Sequence, residues 1–199
     1  MTANDRAKIG LRERKKAKTR ATIQQTALRL FRERGYYETT IEQIAEASEV
    51  SPSTLFRYFP TKESLVMDDD FDPLLIEGYR AQPPELNPIE AFRRAAREGA
   101  AQIPDEEREA IRERMQLMSS YPELRAVMLN NTTQSVGMVA GLIGERLGRA
   151  SDDMLVLTMA GAISGTIISS HLYCVHHPDA DYIETIDEAL ALLESHFRP

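Results

Sequence analysis

The stretch "VSPSTLFRYFPTKESL", residues 50–65, holds two prolines, three aromatic rings and two basic groups in sixteen positions. Ser51 stands where a helix N-cap belongs, and Pro52 occupies the first turn, where its missing N–H costs nothing. Pro60 ends the segment, so the predicted helix is barely two turns long. Leu55 and Phe59, four apart, anchor one face of it to a core. The opposite face offers Ser51, Pro52, Ser53 and Thr54, small side chains that let a helix end enter a major groove. Phe56, Arg57 and Tyr58 follow, suited to thymine methyls, base edges and phosphate oxygens; a phenyl ring at 56 can equally pack inward.

Working outward, "TTIEQIAEAS" places Thr40 at an N-cap and Gln43 three residues on as a capping-box partner, with Ile41, Ile44 and Ala45 on one face. A second short helix is predicted over 41–48, joined to the next by the tight turn "SEVS". Before it, Ile23, Ala27, Leu30 and Phe31 recur at helical spacing over 13–34, and Gly35 follows where a C-terminal cap is wanted. Two short helices braced by a longer one describe a helix-turn-helix. Thr61 caps a fourth helix that runs toward the acidic "DDDFDP". Lys62, with the amides opening that helix, is expected on the DNA backbone, and Thr40 joins the contacts. The basic run "RERKKAKTR", 12–20, is either a solvated helix face or a source of further phosphate contacts through Lys15, Lys16 and Lys18.

The overall charge of −7 argues against nucleic acid, yet it hides an asymmetry. Residues 1–67 hold 13 Lys and Arg against 8 Asp and Glu, a net of +5, whereas residues 68–199 carry −12 and no lysine. Two domains with different partners are expected: a flexible arm over 1–12, a DNA-binding domain over 13–65, and a second domain over 66–199. One cysteine excludes an internal disulfide framework, and the charged N-terminal stretch lacks the apolar run of a secretory signal, so the expected location is the cytoplasm.

The run "GYYETTIEQIAEASEVSPSTLFRYFPTKESL", residues 35–65, resembles the TetR family of bacterial transcriptional regulators. Gly35, Thr39, Thr40, Ile44, Ala45, Val50, Ser51, Thr54, Leu55, Tyr58, Phe59, Lys62 and Leu65 match its pattern. Ser48 and Glu49 depart from the usual Ala-Gly of the turn, and Phe56 from the usual Tyr. Glu49 must then hold a turn conformation that glycine adopts more cheaply, and Phe56 cannot donate to a phosphate. The resemblance implies a helical C-terminal domain that dimerises and receives a small ligand.

That second domain also reads as helical, with no sustained period-two alternation, which makes the chain all-α with about nine helices. Helices are predicted over 88–102, 105–119, 122–148, 152–176 and 180–197. The segment 154–178 has no charged side chain and is long enough to cross a membrane, but its Ser and Thr content and the absence of flanking basic residues or a second span argue for burial instead. Gly161 and Gly165 make it thin. With Ile183, Ile186, Leu190, Leu193 and Phe197 of the last helix it is expected to form a homodimer interface, a four-helix bundle. Along 122–148 the apolar stripe is broken by Asn131 and Ser135. Either these polar groups line a ligand cavity or they bond a neighbouring helix. Candidate ligand contacts are Met115, Met118, Tyr121, Met128, Asn131, Ser135, Met138, Met159 and His171; the methionines serve equally as adaptable core.

His171, Tyr173, Cys174, His176 and His177 cluster without a carboxylate at ligand spacing and read as core and helix-end residues, not a metal site. No Ser-His-Asp set, nucleophile elbow, phosphate loop or metal set appears, so neither an enzyme nor a cofactor is expected. The segment 71–128 is similar to a branch of the family whose ligand domains are named for the mycofactocin regulator and described as acyl-CoA-like sensors. That resemblance puts Arg93, Arg94 and Arg97 against ligand phosphates, which the acidic balance of the domain opposes, leaving a neutral or cationic lipophilic ligand open. The reading is a ligand-responsive homodimeric repressor on a palindromic operator, with an activator or ligand-independent DNA-binding protein as the alternative.

Overall fold

Side-chain caps set the boundaries of the short helices. The computed structural model describes residues 3–67, 71–177 and 179–196, with side chains at all of these except 3–13, 71–74, 105–107 and 196. In it α1 spans Ala3–Arg34, α2 Ile41–Ala47 and α3 Pro52–Tyr58. Thr40 Oγ1 accepts from the Gln43 N–H at 3.3 Å while the Thr40 N–H donates to Gln43 Oε1 at 3.0 Å, closing the capping box expected at α2. Ser51 Oγ accepts from the Thr54 N–H at 3.1 Å, and Pro52 opens α3 as expected. Between them Glu49 has φ +55°, the left-handed conformation that its place in the turn demanded.

Two boundaries differ from the sequence reading. α1 begins at Ala3, so the segment expected as a flexible arm is helical; its Ala, Arg, Lys and Leu favour helix intrinsically even where no apolar stripe calls for one. The fourth helix opens later than Thr61. Thr61 Oγ1 accepts from the Ser64 N–H at 3.1 Å, and α4 is described over Ser64–Met67. The next described helix, α5, spans Phe71–Ala81, and the acidic positions 68–70 between the two lie outside the described residues.

The chain divides into two compact units, Met1–Asp68 and Asp69–Pro199. In the first, Ile23, Ala27, Leu30 and Phe31 of α1 meet Ile44 and Ala45 of α2, Leu55 and Phe59 of the third-helix segment, and Leu65 and Val66 of α4, all buried. Thr39 is fully buried, and its hydroxyl lies 2.8 Å from the Gly35 carbonyl oxygen and 3.2 Å from that of Leu30, tying the chain after α1 back to the helix end. Gly35, at φ +95°, ends α1 through its N–H to Phe31 O at 2.9 Å.

The second unit comprises α5, α6 (Pro88–Ala100), α7 (Asp105–Ser120), α8 (Pro122–Leu147), α9 (Met154–His176) and α10 (Tyr182–His196). Its core joins Tyr79 of α5, Ile89 and Phe92 of α6, Val139 and Ile143 of α8, Val156 and Ile163 of α9, and Leu190 of α10. α9 is long and apolar enough to cross a membrane by length and composition, but it packs along α8 and α10 as a core helix. Polar staples hold the ends of this unit. Arg146, in the last turn of α8, donates to the carbonyls of Tyr79, Gln82 and Pro83 at 3.0, 3.1 and 2.6 Å, with its guanidinium 4.8 Å from the Tyr79 ring centroid. Beside it Arg80 makes a two-point pair with Glu145 at 2.9 and 3.0 Å, which holds the Glu145 carboxyl below the usual range. Arg93 of α6 reaches both Asp187, at 2.9 Å, and Glu194, at 3.0 Å, on α10.

Stability should respond at two of these positions. Glu49→Gly removes a side chain from a left-handed position and should raise stability by about 0.5–1 kcal/mol in denaturant unfolding. Arg146→Ala strips three carbonyls of a charged donor and should cost about 3 kcal/mol, and Arg146→Lys, lacking the planar fork, should recover less than half of that.

Candidate nucleic-acid interface and effector domain

α3 is two-faced. Leu55 and Phe59 have no exposed surface, while Ser51, Ser53, Phe56 and Arg57 are exposed and Thr54 and Tyr58 are half-buried. Phe56 is 47% exposed, so its ring turns outward and not into the core. At the helix start the Ser51 hydroxyl lies 2.9 Å from that of Ser53 and 3.0 Å from that of Thr54, a compact hydroxyl cluster at the positive end of the helix. The Arg57 guanidinium stands 5.5 Å from the Tyr58 ring centroid. Thr40 is exposed at the start of α2, and Lys15, Lys16 and Lys18 are exposed on α1.

Two cations have partners inside their own unit. Lys62, expected on the DNA backbone, donates its ammonium to the Tyr36 carbonyl and sits 4.3 Å from the Tyr36 ring centroid. Its burial pushes the ammonium pKa down, against the opposing pull of Glu63 and Glu38. Arg20 has no separate role in the sequence reading. In the structure its Nη1 donates to Tyr58 O at 3.3 Å, and its guanidinium lies 4.5 Å from the Phe59 ring centroid. The signal in the sequence is its register, three residues before Ile23 and seven before Ala27 on the buried stripe of α1.

In the second unit α9 also has two faces. Val156, Ala160 and Ile163 are buried, while Met154 is 78% exposed and Leu172 53% exposed, with Gly161 and Gly165 between them. A Cβ built on Gly161 or Gly165 meets nothing within 4 Å. Between α9 and α10 runs an open apolar groove of about 500 Å³, lined by Ala162, Gly165, Thr166, Ser169, Ala189, Leu192 and Leu193. The α10 stripe expected at a dimer interface is partly covered by its own chain. Leu190 is fully buried there, Ile186 and Leu193 pack against the same core, and Ile183 is half-buried. A 3-4-3-4 stripe marks a covered face but not which chain covers it. Leu192, 66% exposed, stands on the outer side of α10. Phe197 lies outside the described residues.

The candidate ligand contacts separate into three groups. His171, Met115 and Ser119 meet: His171 Nε2 lies 3.0 Å from Ser119 Oγ, and Nδ1 3.2 Å from Met115 Sδ. The Ser119 Oγ also lies 2.8 Å from the Met115 carbonyl oxygen, and since a thioether sulfur can only accept, the Nδ1 contact to Met115 Sδ calls for the proton on Nδ1, with Nε2 accepting from the Ser119 hydroxyl. Burial pushes the imidazole pKa down, favouring the neutral ring, and Tyr182 stands edge-on 6.4 Å away. Met118 and Met159 are buried; Tyr121, Met128 and Met138 are half-buried. Asn131 and Ser135 are exposed, with the Ser135 hydroxyl donating to Asn131 O at 3.2 Å, so the single chain does not enclose them. Between Leu124 and Val139 no side chain of α8 is fully buried. Arg93 is engaged by Asp187 and Glu194, Arg94 pairs with Glu90 at 2.7 Å, and Arg97 lies 3.7 Å from Asp187, so the three arginines proposed for ligand phosphates already face carboxylates. Among the described residues no group of His, Cys, Asp and Glu is arranged to hold a metal ion.

Comparison with known proteins gives these faces a context. Residues 23–67 match the model of bacterial regulatory proteins of the tetR family, and residues 86–198 match that of the MftR C-terminal domain. The chain is 35% identical over 151 residues to the HTH-type transcriptional regulator TcmR of Streptomyces glaucescens, covering 72% of this chain and 67% of that one. It is 23% identical over 177 residues to MftR of Mycobacterium tuberculosis, named as a mycofactocin biosynthesis regulator, covering 88% and 89%. Among solved structures, Thermus thermophilus FadR, a TetR family transcriptional repressor in complex with lauroyl-CoA, superposes with a TM-score of 0.56 at 25% identity, over 90% of this chain and 95% of that one. An N-terminal helix-turn-helix with an outward-facing third helix, followed by a domain matched over most of its length, places this chain in the TetR family of DNA-binding transcriptional regulators, with an MftR-type C-terminal domain and no enzymatic role.

Proposed function

We propose that the protein is a homodimeric repressor that binds a palindromic operator and is released by a small lipophilic effector. The observation that carries the reading is the division of α3 into a sealed face, Leu55 and Phe59, and an exposed face bearing Ser53, Phe56 and Arg57. Thr54 and Tyr58 flank that face, and Ser51, Thr40 and the exposed lysines 15, 16 and 18 add contacts to the phosphates. Cytoplasmic DNA is the partner that a net charge of +5 in this half fits.

Dimerisation is supported by the exposed α9 stripe and the α9–α10 groove. Small residues there let a second copy approach closely, and a two-fold particle presents two α3 helices to two half-sites. The effector site is supported by the loosely covered middle of α8 beside the His171–Ser119–Met115 cluster, and by the buried Ser164 hydroxyl, which has no hydrogen-bond partner. FadR's lauroyl-CoA supports an acyl-like, lipophilic ligand. The pairing of Arg93, Arg94 and Arg97 with carboxylates favours recognition of the apolar part over the phosphates. Release then follows if the effector binds the operator-incompetent state more tightly. One observation favours the alternative of a ligand-independent regulator. The recesses of about 500 and 350 Å³ found among the described residues are both open grooves rather than enclosed cavities.

Selection from random duplex DNA by the full-length protein should yield an inverted repeat bound with strong salt dependence, and the complex should dissociate with a neutral lipophilic ligand found by screening. Enrichment of no sequence would contradict the regulator reading, and release by no ligand would leave the ligand-independent alternative standing. Gly165→Leu should convert the dimer to monomer in sedimentation and weaken operator binding at least tenfold with little change in melting of the single chain, since the new side chain enters open space.

A further inference from the structure

Serine and threonine inside a helix ordinarily turn their hydroxyls back onto the carbonyl four residues earlier. On α9 Thr158, Thr166, Ser169 and Ser170 do so, donating to the carbonyls of Met154, Ala162, Gly165 and Thr166 at 2.7, 2.8, 2.9 and 3.0 Å. Ser164 does not. It is 5% exposed, and its hydroxyl has no hydrogen-bond partner. An alanine, which the same helix carries at 160 and 162, would fill the place without stranding a polar group. A buried donor with no acceptor inside the chain points to an acceptor from outside it.

Seven residues on, two helical turns and roughly 10 Å along the same face, stands His171. Met115 Sδ at 3.2 Å takes the Nδ1 proton, which leaves Nε2 as an acceptor with Ser119 Oγ at 3.0 Å. That hydroxyl has one proton and two acceptors in reach, Nε2 and the Met115 carbonyl at 2.8 Å. A ligand hydroxyl can therefore take Nε2 while Ser119 keeps a bond to Met115 O, so the exchange strands nothing. The lowered pKa of the ring agrees with a neutral acceptor there. A short connection, 148–153, folds α9 back along α8, which sets the loosely covered stretch of α8 after Leu124 beside this half of α9. Met115, Met118 and Met159 add adaptable side chains that can reshape around a guest.

We propose that Ser164 and His171 are the two polar anchors of the effector site, and that the effector is a neutral lipophilic molecule bearing a carbonyl for Ser164 and a hydroxyl for His171 Nε2. The assignment rests on the effector reading above and narrows it by chemical class. Such a molecule asks for no cation from the protein, in keeping with the carboxylates already facing Arg93, Arg94 and Arg97.

The test is calorimetric titration of the full-length protein with three saturated compounds of equal chain length: an alcohol, a methyl ketone, and a methyl ketone with a hydroxyl at its far end. Wild type should bind the hydroxyketone about tenfold more tightly than either single-function compound. Ser164→Ala should erase the advantage that the ketone confers and leave affinity for the alcohol unchanged. It should also keep or raise the melting temperature, because no bond within the fold is lost. His171→Phe should do the converse, weakening the alcohol and sparing the ketone. Ser119→Ala vacates Nε2 and should tighten binding of both hydroxyl compounds, and it carries this arm alone if His171→Phe does not fold. Equal affinity for all three compounds, unchanged in the variants, would keep a lipophilic effector and overturn the two anchors. A lower melting temperature for Ser164→Ala would put its hydroxyl in a bond of the fold and overturn the assignment as well. Binding of none of the three by wild type would overturn the assignment together with the lipophilic-effector reading beneath it.

Discussion

A helix of seven residues does not hold its shape in water unaided, because nucleation fixes several residues before hydrogen bonds accrue. α3 therefore takes its existence and its pose from the packing beneath it. Leu55 and Phe59 are sealed in the core, Ser51 satisfies the Thr54 amide in the first turn, and Arg20 meets the last carbonyl. Since every stabilising contact comes from one side and the two ends, the outer face is released from structural duty. Its hydroxyls, ring and guanidinium are free to be chosen for what they read. The left-handed Glu49 belongs to the same constraint: the turn before α3 must be tight for the helix to project, and the chain accepts a strained residue there.

The C-terminal unit is built around a different asymmetry. α9 is apolar on nearly all sides, yet one chain covers only part of it. Val156 and Ile163 are buried while Met154 and Leu172 stand exposed. An exposed apolar stripe of that length on a monomer marks an interaction surface, and glycines with open space above them set how closely another helix can come. α8, by contrast, is fastened at its C-terminal end by Arg146 and the Glu145–Arg80 pair and loosely covered through its middle. Low packing between firm anchors is where conformational response concentrates. The acidic surplus of this half, set against the basic surplus of the first, directs DNA to one end of the chain.

Features carried by short-range chemistry are legible in the sequence. The caps at Thr40 and Ser51, the stop at Pro60, the buried stripe of α1 and the strained turn at Glu49 each depend on residues within four positions, and the structure has them all. Features decided by long-range packing are not. The stripe on α10 announces a covered face at Leu190, but pattern alone cannot say whether its own chain or a second one covers it. A basic residue at position 20 reads as solvent-facing until the Phe59 ring is seen beneath it. Lys62 sits in a motif that suggests phosphate, and its contact with Tyr36, far back in the chain, is one the motif does not announce. Asn131 and Ser135 break an apolar stripe in the sequence, yet they stand outside, because that part of α8 has little packed on it.

The most direct test of the account is a structure of the full-length protein on its selected duplex. The account predicts α3 in the major groove, with Ser53, Thr54, Phe56, Arg57 and Tyr58 toward bases and phosphates. An α3 lying away from the groove, with those side chains off the duplex, would contradict it.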